Sequence, residues 1–248
     1  MLDQYPFDVQ KIGLIVVATT SSDLLMPGIS FQVQKELGID HCICLDVLAG
    51  CSGYINAFDI ARKYIVLREV EYALVIGAEH LTKWLDEQDV GTSILLGDGA
   101  GCTLLGKTEQ NKKYDCSIES RGQEGEILTC KQGETIFMDG KKVYKYGVTK
   151  TVENVKKILE KNKLTKDQIT YIIPHQSNRR IMEKIAEGLE FPMSKMYSDI
   201  EQNGNTFCAS IPIALQEMMQ QNVLQRGDTI ILLGYGGGLN LGSIILEY

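Results

Sequence analysis

Proline is scarce in this chain, with five residues against 24 glycines in 248, so the backbone is punctuated by tight turns rather than stiff linkers. There is one tryptophan, Trp84, and no apolar run near the roughly 18 residues that a membrane span requires. The opening residues, MLDQYPFDVQK, lack a basic segment followed by a long apolar stretch, so no secretory signal is read there. Basic residues are outnumbered 25 to 32, giving a net charge of −7, which argues against a general nucleic-acid binder. None of the seven cysteines forms a CxxC pair, and no histidine cluster accompanies them, so a zinc site is not expected. Most of them read as small buried hydrophobes in a reducing compartment. The expectation is a soluble, cytoplasmic protein with an ordinary 44% apolar composition.

What is present is an alternation of strand-like and helix-like patterns. Ile12 to Thr19, Cys42 to Val47, Ala73 to Gly77 and Gly101 to Leu105 read as strands. Gly28 to Leu37 reads as a helix, and Ser52 to Leu67 as another, with Tyr54, Ile55, Phe58, Ala61 and Ile65 on one stripe. The polar stretch Gly106 to Lys113 separates two halves, 1–110 and 111–248. Beyond it, strands are expected at Tyr114 to Glu119, Thr170 to Pro174, Lys195 to Asp199, Asp228 to Leu233 and Asn240 to Tyr248. Helices are expected at Val148 to Lys161, Asn178 to Leu189 and Ser210 to Gln220. Such alternation predicts an α/β fold of βαβ units around mostly parallel sheet. GDGAGCTLLG and GYGGGLNLGSIIL both set a glycine turn before a strand, a weak sign of duplication.

Three segments carry candidate chemistry. In DVLAGCSGY, Cys51 sits where a strand turns into a helix, where backbone N–H groups favour a thiolate and small neighbours leave room for a substrate. A buried structural cysteine fits the same place. In IIPHQSNRR, His175 follows a strand at the edge where open α/β sheets bind ligands. Packing or capping is the plain alternative, but Arg179 and Arg180 at a helix start oppose the dipole and point to an anionic partner. In NGNTFCASIP, Asn205 is either a turn residue, with Thr206 or Ser210 capping the next helix, or a non-titrating donor beside a thioester. Gly236 to Gly238 can bring backbone N–H groups against a ligand; because a strand follows, they do not form a dinucleotide loop.

Cys51 in LAGCSGY, His175 in PHQSNRR, Asn205 in NGNTFCASIP, and the GDGAG and GYGGG turns occur together and in order. With them the chain resembles the β-ketoacyl-acyl carrier protein synthase III family, over essentially its whole length. The resemblance implies a thiolase-like fold of two similar βαβ halves packed in layers. It implies a Cys51–His175–Asn205 triad, an oxyanion hole from the Cys51 and Gly237 amides, and an enolate held by His175 Nε2–H and the Asn205 amide. The reaction implied joins an acyl-CoA primer to malonyl-acyl carrier protein with loss of carbon dioxide, initiating fatty acid synthesis, with no metal or cofactor. Asn178, Arg180, Lys145 and Lys184 fall where the family meets the pantetheine arm and the acidic carrier protein, and Tyr144 beside its tunnel. Met26 falls where many members place a phenylalanine that crosses a homodimer, the first-half sheets joining through Tyr72 to Gly77. Sister condensing enzymes of polyketide or related metabolism share this triad, and a shortened, non-catalytic thiolase-fold subunit is the further alternative.

Members of the family carry about 60 further residues before the segment at Val9, under half of a typical domain. They supply a first strand and helix, and a Trp and Arg that clamp the coenzyme A adenine; Trp84 lies too far along the chain for that role. The strand is expected at the centre of the first sheet, where its loss would open the core. A shortened chain is the favoured account, ahead of completion by a separate polypeptide or a depleted first half.

Overall fold

The computed structural model describes residues 7–248 except 69, 87, 111 and 132. In chain order the first half contains β1 (Ile12–Ala18), α1 (Ile29–Glu36), β2 (Ile43–Val47), α2 (Gly53–Arg68), β3 (Tyr72–Glu79), α3 (Val90–Ser93) and β4 (Gly99–Gly106). The second half contains β5 (Tyr114–Ser120), β6 (Leu128–Thr129), β7 (Phe137–Met138), α4 (Gly140–Lys161), β8 (Tyr171–Pro174), α5 (Arg179–Leu189), α6 (Ile200–Asn203), α7 (Ser210–Gln220), β9 (Thr229–Gly236) and β10 (Asn240–Glu247). Among the described residues no helix is long and apolar enough to cross a membrane.

The first sheet runs β2-β1-β3-β4 and the second β5-β10-β9-β8. Pairings of β1 with β2, β1 with β3 and β8 with β9 are parallel. Those of β3 with β4, β9 with β10 and β5 with β10 are antiparallel. The sheets are therefore mixed, not mostly parallel, because each half ends in an antiparallel return strand, β4 or β10, rather than another helical crossover.

Helices α2 and α7 lie between the sheets. Their apolar faces, with Tyr54, Ile55, Phe58, Ala61, Ile65, Ile211, Ala214 and Leu215, share one core with Leu14, Val16 and Val75 from the first sheet and Ile173, Leu232 and Ile244 from the second. The helix α1 covers the outer face of the first sheet, and α4 and α5 that of the second. The layers are helix, sheet, helix, sheet, helix. The boundary expected at 110/111 falls in the connection from β4 to β5.

Four expectations are corrected. The helix read from Val148 begins at Gly140, because Asp139 caps it by accepting from the Lys142 amide at 3.1 Å. Gly147 lies inside the helix against the Tyr235 ring. The segment 195–199 is no strand: it makes one bridge, Met196 to Ile172, and turns into α6. No gap exists at the centre of the first sheet, since β1 pairs β3 directly from Leu14–Ala73 to Ala18–Gly77 with β2 on its other side. Finally, β3 has strands on both edges and cannot join sheets across a dimer. The edge strands are β2 and β4; on β2 Ile43 is exposed, and near it stand Leu24, Leu25 (89% exposed), Met26 (84%), Phe31 and Leu48.

Candidate active site

Cys51 lies in a single 3₁₀ turn, Gly50–Ser52, that leads into α2 between the sheets. Two glycine positions make this turn possible. Gly50 has φ +57°, and a Cβ there would stand 2.9 Å from the Gly237 carbonyl oxygen. Gly236 approaches so closely that its Cβ would be 2.6 Å from Cys51 Cβ and 2.7 Å from Sγ. The turn joining β9 to β10 thus lies directly on the cysteine, and the Gly237 and Cys51 amides both reach its sulfur.

Cys51 is only 3% exposed. Burial pushes its thiol up to about 12, opposed by the Gly237 amide and reinforced by the buried Glu79 carboxylate. The thiolate expected from the helix start is therefore not the resting form: desolvation outweighs the dipole, and the sulfur keeps its proton at neutral pH. Beside it, Cys208 donates to Glu79 Oε1 at 3.0 Å and to the Ala18 carbonyl at 3.1 Å. Thr20 and Ser21 also donate to Glu79, locking the ends of β1 and β3 behind the site.

His175 follows β8 and is 1% exposed; its amide donates to the Leu233 carbonyl at 2.6 Å, which fixes it to β9. Its ring meets the Tyr235 ring edge-on at 5.5 Å, and the Tyr235 hydroxyl is paired with Ser177 Oγ at 2.6 Å. Nδ1 lies 2.8 Å from Ser210 Oγ. Burial lowers the imidazole to about 3, against a smaller opposing effect of the Phe207 carbonyl, so it is neutral at physiological pH.

Asn205 is held by its amide on the Leu95 carbonyl at 2.8 Å. Its Oδ1 accepts from the Phe207 amide at 3.0 Å, which turns Nδ2 towards the Ser177 carbonyl at 3.5 Å and leaves a second amide hydrogen to offer. The turn Phe207–Ala209 after Asn205 packs on the Cys51 turn, and β9 packs on it from the other half. Cys51, His175, Asn205 and Gly237 are thus brought together by contacts between both halves.

The outer residues are placed less uniformly. Asn178 is the N-cap of α5, its Oδ1 accepting from the Arg180 amide at 2.9 Å. Arg179 is satisfied inside the chain, bonded to Glu183 at 3.1 Å and also paired with Glu201, so it does not require an anionic partner as expected. Arg180 makes no ion pair among the described residues. With Asn178, Leu95, Glu183 and Ile200 it lines a cleft of about 520 Å³ whose Leu95 wall continues to Asn205. Lys184 is paired with Glu187 at 2.5 Å and neighbours the half-exposed Tyr144. Lys145 lines a different cavity of about 690 Å³, with Tyr146, Ile127 and Phe137, which none of the triad residues touches. Met26 lies outside the cluster, on the surface by β2.

Ser210 and Tyr235, the two residues that hold the His175 ring, were not singled out as site residues by sequence reasoning. Ser210 was read, with Thr206, only as one of two residues that could cap the helix, and no local signal marked it further.

Residues 45–122 match the family model "3-Oxoacyl-[acyl-carrier-protein (ACP)] synthase III" and residues 159–248 its C-terminal counterpart. A β-ketoacyl-[acyl-carrier-protein] synthase III of Sodalis glossinidius is 37% identical over 248 residues, spanning 97% of this chain and 78% of that protein. The chain belongs to the β-ketoacyl-acyl carrier protein synthase III family. It is a condensing enzyme of this type, with the thiolase-like fold. The crystal structure of the synthase III from Aquifex aeolicus superposes with a TM-score of 0.94 at 34% identity, covering 96% of this chain and 78% of that one. The priming β-ketosynthase of the R1128 polyketide pathway superposes at 0.92 with 27% identity, covering 99% and 78%.

Proposed function

We propose that this synthase III takes an acyl group from acyl-CoA onto Cys51 and condenses it with malonyl-acyl carrier protein. The observation that supports this most is the Cys51 turn lying under the Gly237 amide, with His175 and Asn205 anchored around it. Attack of the Cys51 sulfur on the thioester forms a C–Sγ bond and releases coenzyme A. The Cys51 and Gly237 amides serve as the oxyanion hole. Decarboxylation of the malonyl group releases carbon dioxide and leaves an enolate, to which the Asn205 amide and the His175 ring donate. The enolate carbon attacks the acyl-Cys51 carbonyl, the carbon–Sγ bond breaks to give the β-ketoacyl product, and the departing thiolate regains its proton from water. Neither half-reaction calls for a redox group or a metal.

Arg180, which makes no ion pair among the described residues, lines the cleft with Asn178 and suits the phosphate of the pantetheine arm. Lys145 and Lys184 extend the basic surface towards the acidic carrier, although Glu187 already engages Lys184. Assembly as a homodimer through the β2 edge accounts for the exposed Leu25, Met26 and Ile43. Leu25→Glu is then expected to shift the sedimentation coefficient to that of a monomer. A cytoplasmic location suits Cys42 and Cys44, whose sulfurs stand only 3.7 Å apart as thiols.

Intact-mass detection of an acyl adduct, lost in Cys51→Ser, tests the central claim, and its absence in the parent protein would refute it. The likeness to the R1128 priming enzyme favours polyketide priming as a second reading. A panel of carrier proteins and acyl-CoA donors separates the two.

A further inference from the structure

Ser210 opens α7, fully buried, and its one hydroxyl meets three groups. It donates to the Phe207 carbonyl at 2.8 Å, receives the Gln176 amide at 3.3 Å, and lies 2.8 Å from His175 Nδ1. A hydroxyl has one hydrogen and two lone pairs. The Gln176 amide can only donate and the Phe207 carbonyl can only accept. With the hydrogen on Phe207, one lone pair serves Gln176 and the other is left for His175, which must then present Nδ1–H. All three contacts are satisfied at once in that arrangement. The opposite arrangement, with the hydroxyl donating to a bare Nδ1, keeps only two of them.

We propose that Ser210 is a positioning residue that holds resting His175 as the Nδ1–H tautomer, so that Nε2 is the base for the Cys51 proton. The ring's other hydrogen bond is to the Phe207 carbonyl, which can only accept and so also calls for an N–H on the ring. The claim rests on the function proposed above and completes its first half-reaction. The proton passes from Cys51 Sγ to Nε2 as the sulfur attacks. The carbon–sulfur bond to coenzyme A breaks, the departing sulfur takes that proton from Nε2, and the ring returns to Nδ1–H. A protonated, buried thiol needs such an acceptor.

Condensation asks for the other tautomer, with Nε2–H facing the enolate. The Ser210 hydroxyl permits this without moving a heavy atom, by turning its hydrogen from Phe207 to Nδ1. The Phe207 carbonyl remains satisfied, because it also accepts from the Ser210 amide. Between the half-reactions one proton leaves Nδ1 and one arrives at Nε2, both exchanged with water after coenzyme A departs. Which ring nitrogen carries the proton is thus set by the partner of the other.

The tautomer is read directly from ¹⁵N shifts of His175 in the labelled full chain at neutral pH. Expected are a protonated Nδ1 and an unprotonated Nε2 in the parent protein, and a mixture in Ser210→Ala. Acylation of Cys51, followed by quenched intact-mass measurement, should slow about tenfold in Ser210→Ala, a part of the roughly 10²- to 10⁴-fold that a positioned base supplies. Ser210→Thr, which keeps a hydroxyl on the same carbon, should restore both the shifts and the rate. A parent protein protonated on Nε2 overturns the proposal. So does Ser210→Ala with unchanged shifts and rate, or a threonine variant as slow as the alanine one. If the parent chain shows the Nδ1–H signature yet never acylates, the functional reading fails while the tautomer assignment stands.

Discussion

Gly236→Ala probes the contact on which the nucleophile depends. The added methyl would sit 2.6 Å from Cys51 Cβ and 2.7 Å from Sγ, where ordinary contact begins near 3.4 Å, so about 1 Å of displacement must be found. Behind the sulfur lies the bonded Glu79–Cys208 group, and the Gly50 side of the turn already touches the Gly237 carbonyl, so neither neighbour yields freely. Gly236 also has φ +157°, a conformation that costs a non-glycine residue about 1–3 kcal/mol. Overpacking adds roughly 1–3 kcal/mol. The expected destabilisation is therefore about 2–6 kcal/mol, measured by urea unfolding. In the molecules that still fold, a sulfur moved by about 1 Å should acylate roughly 10²-fold more slowly. A variant within about 1 kcal/mol of the parent and acylating at a similar rate would refute the reasoning.

Because burial holds His175 near 3, its protonation gives no acid limb around pH 6.5; acylation should be flat there, and an inflection at the ordinary imidazole value would count against a neutral buried ring. Asp199 is raised to about 6 by burial first and by Glu217 second, so the folded state binds its proton more tightly than the unfolded chain. Its stabilising contribution is present at low pH and lost as pH rises through about 6. Asp199→Asn, which retains an acceptor for Asn203, should then raise the Tm at pH 8 by a few degrees and hardly at pH 4; equal gains at both would exclude a titration effect. With methionine, a flexible side chain, at position 26, kcat/KM should be higher for butyryl- or isobutyryl-CoA than for acetyl-CoA, and Met26→Phe should reverse the order; a parent enzyme that prefers acetyl-CoA would contradict this.

Much of the fold was legible because its elements announce themselves locally. The β-branched run of β1 and the stripe Tyr54, Ile55, Phe58, Ala61 and Ile65 are buried as the pattern requires. Long-range choices were not legible. That β3 is interior, that β1 pairs it without a gap, and that Glu201 takes Arg179 are decided by partners far away in the chain. The first two turns of α4 were not legible, since Asp139 caps the helix at Gly140 and Gly147 is accommodated by the distant Tyr235 ring. In the candidate site, Cys51, His175, Asn205 and Gly237 stood out through small or turn-forming neighbours. Ser210 did not, since a serine opening a helix has a sufficient local explanation. The resting state of the thiol was also hidden, because depth of burial is a property of the packed layers.

The middle layer has a mechanical consequence. Since α2 starts at the Cys51 turn and is gripped by both sheets, and α7 follows from the Asn205 turn in the same sandwich, the halves cannot hinge apart without dismantling the reaction centre. Any movement that admits a long thioester arm is therefore left to segments outside this sandwich, among them Gly125 and Leu128, which lean on the Gly236–Gly238 turn. The interior serves as an anvil, and whatever breathing the catalyst needs is confined to its rim.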